Sequence, residues 1–430
     1  MKVDWEEVSL SAAGVSLIDC EHRTPPASNV GCPYVAIPQI KNGRIDFTGA
    51  RRITSELFVE WTRKASPQHH DVILSRRCNP GETAFVPAGP PFALGQNLVL
   101  LRADGRKIFP PFLRWLVRGP EWWEQIQKFI NVGAVFDSLK CADIPNFRLR
   151  VPPINEQKAI AGVLGTLDDK IELNQRMNET LEAIAQAIFE SWFVDFDPVR
   201  AKAAGQSPPC LDPEIAALFP DRFEPSGLGK IPMGWNSIPI FELAEINAWT
   251  LGKDDELDRV EYIEISEVSR GNIRSIQVFE RGEEPSRARR RLRHGDTVMS
   301  TVRPDRGSYF LCLHPSPYSI ASTGFAVVTP TRAPWSFIHA ALTQSDVFEH
   351  LGQQADGGAY PAISPEIIGK WQVTWPDQSA IVGAFHKMCG ALYELAEQNR
   401  RQLRILAAMR DALLPKLLSG EVRVEYAPKK

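Results

Sequence analysis

Apolar residues recur in steps of four and three through residues 151–196, VPPINEQKAIAGVLGTLDDKIELNQRMNETLEAIAQAIFESWFVDF. Ile160, Leu164, Leu167, Ile171, Asn174, Asn178, Leu181, Ala185, Ile188 and Trp192 fall on one helical face. Their seven-residue period makes that face a narrow seam, the form a helix takes when its partner is another helix. Pro152 and Pro153 impose an extended entry, Asn155 is the expected N-cap, and Glu156 sits at the positive end of the helix dipole. At 1.5 Å per residue, the seam from Ile160 to Trp192 is about 48 Å long.

The pattern returns near the C-terminus. Adding 221 to each seam position gives Ile381, Phe385, Met388, Leu392, Leu395, Asn399, Gln402, Leu406, Met409 and Leu413, most of them apolar. Asn178 falls on Asn399, and Glu156-Gln157 on Asp377-Gln378. An Asn in such a seam costs stability but fixes register. The second entry, Trp375-Pro376-Asp377-Gln378, is three residues shorter than Val151–Gln157.

Between the helical stretches the period drops to that of β-structure. Tyr34-Val35-Ala36-Ile37, Asp71-Val72-Ile73-Leu74 and Asn97-Leu98-Val99-Leu100-Leu101 are short strand-like runs separated by Gly, Asn and Pro turns. A helix broken at Gly119-Pro120 is expected over Pro111–Ile130. Residues 235–374 repeat this order. Tyr262–Ile265 echoes Tyr34–Ile37, and Asp296–Ser300 echoes Asp71–Ser75 at an offset of 225. Phe112-Leu113 maps onto Phe337-Ile338, and Gly133-Ala134 onto Gly358-Ala359, at the same offset. The expected domains are 1–150 globular, 151–196 long helix, 197–234 connector with a short helix around Pro213–Phe219, 235–374 globular, 375–420 long helix, and 421–430 tail. The fold class is α+β: two mixed α/β domains and two long helices, related as an internal pseudo-two-fold repeat.

Composition narrows the chemistry. Seven scattered cysteines without a C-x-x-C pair point to a reducing cytoplasm and to no structural zinc, and the eight histidines show no metal spacing. His69-His70 reads as a loop pair, so no metal ligands are assigned. No apolar run approaches the roughly 20 residues that span a bilayer, and the N-terminus does not read as a signal peptide. No phosphate loop, dinucleotide fingerprint, zinc-protease helix or nucleophile elbow occurs, so no catalytic residues are assigned. The net charge of −3 conceals local differences: 19 basic against 15 acidic side chains in residues 1–150, and 9 against 6 in 376–430. DNA binding would therefore use local patches.

Those patches are arginine-rich. Arg287, Arg289, Arg290, Arg291 and Arg293 stand in PSRARRRLRHGD, read as a loop just before the Asp296 strand, and Arg303 and Arg306 follow that strand. Arg274 belongs to the second unit's Gly-Asn turn. In the first unit Lys41 and Arg44 flank a turn, and Arg51, Arg52, Arg76 and Arg77 take comparable places. Guanidinium forks match guanine edges and phosphates, which makes these the candidate DNA contacts. The plain alternative is solvated loop charge, or pairing with the acidic run Glu280–Glu284.

The stretch VPPINEQKAIAGVLGTLDDKIELNQRMNETLEAIAQAIFESWFVDFDPVRAK, the preceding GAVFDSLKCADIPNF, the connector FPDRFEPSGLGKIPMGW and the C-terminal LLPKLLSGEVRV together resemble the specificity subunit of type I restriction-modification systems, over essentially the whole chain. The resemblance implies that the globular parts are two target recognition domains, each reading half of a bipartite, asymmetric site in double-stranded DNA. It implies that the two long helices join these domains as an antiparallel coiled coil, a spacer between the half-sites, and that this cytoplasmic chain is not itself catalytic. Two modification (methyltransferase) subunits and two restriction (endonuclease and translocase) subunits would be its partners. S-adenosylmethionine, ATP and magnesium would be bound by them, and no cofactor by this chain. Two other readings stay open at this point: a stand-alone DNA-modifying or DNA-cleaving enzyme of unrecognised type, and a degenerate scaffold subunit.

Overall fold

The computed structural model describes residues 5–133, 136–227, 229–252, 255–358, 360–376 and 379–424. Ala134, Ala359, Asp377 and Gln378, which entered the repeat alignment above, lie outside them. Contacts divide the chain into two units, residues 1–172 with 404–430, and residues 173–403. The division falls inside both long helices, Ile154–Phe193 and Ser379–Ser419, so each unit takes part of each helix.

The first unit is built on an antiparallel sheet of four strands in the order Val15–Asp19, Leu98–Ala103, Val72–Ser75, Thr83–Phe85. Val72–Ser75 is buried at every residue, as expected of a strand covered on both faces. On one face, Val72, Leu74, Val99 and Leu101 meet Phe112, Trp115 and Trp122 of the helices Pro110–Leu116 and Pro120–Phe129. Gly119-Pro120 separates these two helices, because proline starts a helix but cannot continue one. On the other face, Ile73, Leu98 and Leu100 pack with Val35 and Leu94. The helix face also receives Ile160, Leu164, Leu417 and Leu418 from the two long helices. Gly119 permits that approach, since a Cβ there would lie 2.5 Å from Leu418 Cδ1. A strand pair, Glu6–Ser9 with Arg148–Val151, leads into the first long helix.

The second unit repeats this topology. Its four-stranded sheet runs Ala244–Ile246, Phe325–Pro330, Asp296–Ser300, Tyr309–Cys312, and Trp235–Pro239 pairs with Gln372–Pro376 as Glu6–Ser9 does with Arg148–Val151. Helices Trp335–Leu342 and Ser345–Gln353 match Pro110–Leu116 and Pro120–Phe129. Even the parallel pairing is kept: Cys32–Val35 with Ala93–Leu94, and Arg259–Ile263 with Ser319–Ser322. Here the long helices enter an aromatic core in which Phe189, Trp192 and Phe193 meet Phe337, Phe385 and Trp235. The connector holds more elements than the one short helix expected of it. Besides the expected helix Pro213–Leu218, it forms Asp197–Ala203 and the hairpin Phe223–Ser226 with Gly229–Pro232.

The long helices run antiparallel. In the second unit Asn399 Nδ2 donates to Asn178 Oδ1 at 3.0 Å, and Asn174 Nδ2 donates to Gln402 Oε1 at 3.1 Å. Ile160, Leu164, Ile171, Asn174, Asn178, Ile381, Phe385 and Asn399 are buried, and Leu167, Leu181, Ile188, Leu392, Leu406 and Leu413 are half-buried. Met388 and Leu395 are not seam residues: both are exposed, and Cys389, Tyr393 and Ala396 take the buried positions. The reason is the period. From Ile381 the buried face steps through Phe385, Cys389, Tyr393, Ala396 and Asn399, the 3.6-residue turn of a straight helix, which drifts about 20° per heptad from a strict seven-residue repeat. Asn155 is not the helix cap either, because the helix begins at Ile154. Gln157, fully buried, secures that entry: its Nε2 donates to the carbonyls of Lys107 and Pro152, and its Oε1 accepts the Phe109 N–H.

Candidate nucleic-acid interface

The candidate cations of the first unit separate into two kinds. Lys41 and Arg44 stand on a tight hairpin, Ile40–Lys41 with Arg44–Ile45, whose Asn42-Gly43 corner holds positive φ at both residues. Asn-Gly accepts that conformation with little strain. Lys41 faces out and pairs with Asp46 at 2.7 Å. Arg44 turns inward, onto the first long helix. Its Nη2 bonds Asp168 Oδ2 at 2.7 Å, and its Nη1 bonds Glu172. Asp168 is also 3.5 Å from Arg114 Nη1 and accepts Arg410 Nη1 of the second long helix at 3.0 Å. Arg44 thus anchors the hairpin to the helices. Arg51 and Arg52 lie on the edge strand Arg51–Ile53, exposed, each with one Nη bonded to a carbonyl, Pro25 and Gly31 respectively. Arg77 is exposed, and Arg76 reaches back to the Leu139 carbonyl at 3.3 Å.

In the second unit the arginine run is not a loop. Ala288–Arg291 is a strand that pairs with Ser319–Ser322 and extends the sheet carrying Arg259–Ile263 and Gln277–Glu280. The turn residues expected of a loop are absent between Ala288 and Arg291, and an arginine stem suits a half-buried strand with its head near water. Arg287 is exposed and Arg289 half-buried. Arg290 Nε is buried without a hydrogen-bond partner among the described residues, and burial pulls its pKa below the usual arginine value. Arg291 pairs with Asp255 at 2.7 Å, and Arg293 lies 3.1 Å over the half-exposed Trp249 ring. Arg274 bonds the Ser266 carbonyl. Arg306 is exposed at the end of the turn Pro304–Arg306, and Arg303 lies 4.8 Å over the Tyr360 ring, itself 74% exposed. Of the acidic run, Glu284 pairs with Arg281 rather than with the strand arginines.

The two units share a further detail. Cys78 and Arg303, 225 residues apart, both hold positive φ three residues after the end of the core strand. Beside them, Arg77 bridges Ser138 and Val302 bridges Ala362, so the same turn is tied to a corresponding position in each unit. A non-glycine residue held at positive φ costs roughly 1–2 kcal/mol and persists where surrounding structure enforces it. The buried charges, by contrast, are not shared. At matching offsets Arg114, Arg118 and Glu172 become His339, Thr343 and Tyr393. His339 is buried, and burial drags its pKa down to about 3, so the imidazole is neutral where the first unit has a guanidinium. Asp71 is paired with Arg102 at 2.6 Å, whereas its counterpart Asp296 faces Thr329 across the same strands and is pushed up to about 6 by burial. Sequence reasoning missed Asp168, Arg114 and Arg410. The available signal was an acid four residues beyond Leu164 and three before Ile171, on the buried face of the helix.

Residues 3–183 match the family model described as type I restriction modification DNA specificity domain. The HindI specificity subunit of Haemophilus influenzae is 25% identical over 392 aligned residues, with 77% of this chain and 81% of that protein covered. The MjaIX specificity subunit of Methanocaldococcus jannaschii is 25% identical over 390, with 88% and 83% covered. The crystal structure of a type I restriction-modification S subunit from M. genitalium superposes with a TM-score of 0.58 at 16% identity, over 96% of each chain. The relatives and the fold are those of type I restriction-modification specificity subunits. Such a specificity subunit acts with other subunits and with DNA. No helix among the described residues is long and apolar enough to cross a membrane.

Proposed function

We propose that this chain is the non-catalytic DNA-specificity subunit of a type I restriction-modification complex, in which each globular domain reads one half of a bipartite, asymmetric target. The observation that carries the reading is a repeated scaffold with unlike edges. The two units keep one strand order and one helix pairing, and differ where arginines reach the surface: Arg51 and Arg52 on a three-stranded sheet, Arg287–Arg293 on and beside an added fourth strand. Unlike edges suit unlike half-sites, and a paired helix of fixed register suits a fixed spacer. In this reading the DNA contacts come from Arg51, Arg52, Arg77, Arg287, Arg293, Arg303 and Arg306, and the support is their position at the surface, with the Trp249 and Tyr360 rings beside Arg293 and Arg303.

The partners are two modification subunits and two restriction subunits. Support comes from outward apolar residues on the long helices. Leu173, Met177 and Ile184 are exposed on one face of the first, and Met388, Leu395 and Met409 share a face of the second. Exposed apolar stripes on a surface otherwise polar mark protein contacts. Two similar helices suit two copies of one partner. S-adenosylmethionine, ATP and magnesium are bound by those partners, in the cytoplasm, and none by this chain.

The test is selection of a randomised duplex library by the chain co-purified with its modification subunit. A split motif with a constant spacer is expected. Equal retention of scrambled DNA would sink the reading, and turnover of DNA by the isolated chain would favour the stand-alone enzyme instead.

A further inference from the structure

Three side chains remote in sequence meet on the second unit. His294 precedes the core strand Asp296–Ser300, His314 follows its neighbour Tyr309–Cys312, and Glu394 lies on the second long helix. His314 Nε2 is 2.9 and 3.1 Å from the two Glu394 carboxylate oxygens. The two imidazole rings are 4.6 Å apart, and His294 Nδ1 accepts the His314 N–H at 3.3 Å. One donor atom from each of the three residues lies within 4.8 Å of the other two. The loop bearing His314 is gripped a second time, by Arg401 Nη2, which donates to the carbonyls of Leu313 and His314 at 3.2 and 3.3 Å. Glu394 and Arg401 stand two helical turns apart and hold the same loop.

We propose that His294, His314 and Glu394 form a zinc site that fastens the globular part of the second unit to its long helix. Two imidazoles and one carboxylate are a donor set that zinc favours, with water completing a tetrahedron, whereas calcium and magnesium take oxygen-rich sets. Bonds of roughly 2.0–2.2 Å set the donors of a tetrahedral ion about 3.3 Å apart. His314 and Glu394 already stand near that spacing, and a His294 ring nitrogen lies within 4.8 Å of the donors of both. The His314 and Glu394 side chains are 52% and 32% exposed, so an ion reaches them and neither is committed to the core. Among the described residues, a second cluster of potential donors, Asp19, Cys20 and His22, is less suited. Its Cys20 thiol is buried, pushed up to about 11 by burial, and engaged with the carbonyls of Gly95 and Glu21. The assignment reverses the expectation of no metal ligand. Separations of 20 and 80 residues form no motif, and only the fold brings the three together. The site is independent of which DNA the chain reads.

The test uses the full-length, tag-free chain stripped with chelator and titrated calorimetrically with zinc chloride, with cobalt absorption as a second probe. One saturable site is expected, together with a zinc-dependent rise in the thermal midpoint. His314→Ala, Glu394→Gln and His294→Asn should each weaken binding roughly tenfold or more and remove the thermal shift, because three ligands act on one ion. His22→Ala should change neither. Wild-type zinc affinity in both His314→Ala and Glu394→Gln, or loss of the site in His22→Ala alone, would overturn the proposal, as would the absence of saturable binding. Circular dichroism of the three variants shows whether each keeps its helices, and these surface positions predict that all do.

Discussion

The carboxylate of Asp168 is the point at which the first unit is most exposed to a single substitution. It is 4% exposed, with Arg44 at 2.7 Å, Arg410 at 3.0 Å and Arg114 at 3.5 Å. Those arginines come from the hairpin of Ile40–Lys41 with Arg44–Ile45, the second long helix and the core helix Pro110–Leu116. Asp168→Ala removes the one acid that they share and leaves several guanidiniums facing one another away from water. Breaking a buried pair from one side costs about 3–5 kcal/mol, against about 0–1 kcal/mol for an exposed pair. With a urea slope of about 2–3 kcal/mol/M, the midpoint for the first unit should fall by roughly 1–2 M. A chain of two units need not unfold in one step, so the readout is hydrogen exchange by mass spectrometry under rising urea, scored separately on each unit. Peptides covering 40–46, 110–118, 160–172 and 404–414 should lose protection together, and those covering 296–343 should not. A quadruple variant that replaces Asp168, Arg44, Arg114 and Arg410 with apolar residues should recover much of the loss, since its missing partner groups no longer need solvation. A destabilisation below about 1 kcal/mol would refute the reasoning, because it would mean that the cluster behaves as surface charge.

The second unit should answer pH differently. Its Asp296 is pushed up to about 6 by burial, so the fold takes up a proton below that pH and the carboxyl's favourable contribution, full below 3.8, is lost as pH rises through about 6. His339 is dragged down to about 3 by burial, so the unfolded chain takes up a proton below 6.5 and stability falls as pH drops towards 3. Between pH 6 and 4 the two uptakes cancel. Asp296→Asn should therefore uncover a loss of about 1.4 kcal/mol per pH unit in that window, measured by urea unfolding, and an unchanged slope would contradict the assignment. At neutral pH, Thr329→Arg should restore the pairing seen at Asp71 and Arg102 and pull the Asp296 carboxyl down, which carbon-detected NMR titration would register as a lower midpoint. Replacing Asn178 and Asn399 together with Leu should raise thermal stability while loosening helix register, read as heterogeneous distances between spin labels on the two helices; a single sharp distance would argue that packing alone sets the register. Arg287→Ala with Arg293→Ala should change the bases selected in one half-site only, and an equal loss across all sequences would assign them to phosphate.

The seven-residue spacing, the copy 221 residues on and the matching asparagines were determined by the sequence itself, because hydrophobic period and a polar seam residue are local signals that translate directly into helix pairing. The Gly119-Pro120 break was legible for the same reason. Tertiary structure decided the rest. A period says that a helix has a buried face but not what covers it: Met388 and Leu395 fit the seam by count and face outward, because that stretch keeps the straight-helix turn. Charge says nothing about direction, so Arg44 and Arg51 look alike in the chain, and only the fold turns one onto Asp168 and leaves the other at an edge. The arginine run looked like a loop until pairing with Ser319–Ser322 made it a strand, a contact no local pattern contains. His294, His314 and Glu394 share nothing in sequence, since long-range neighbours are set by how strands and helices stack rather than by spacing along the chain.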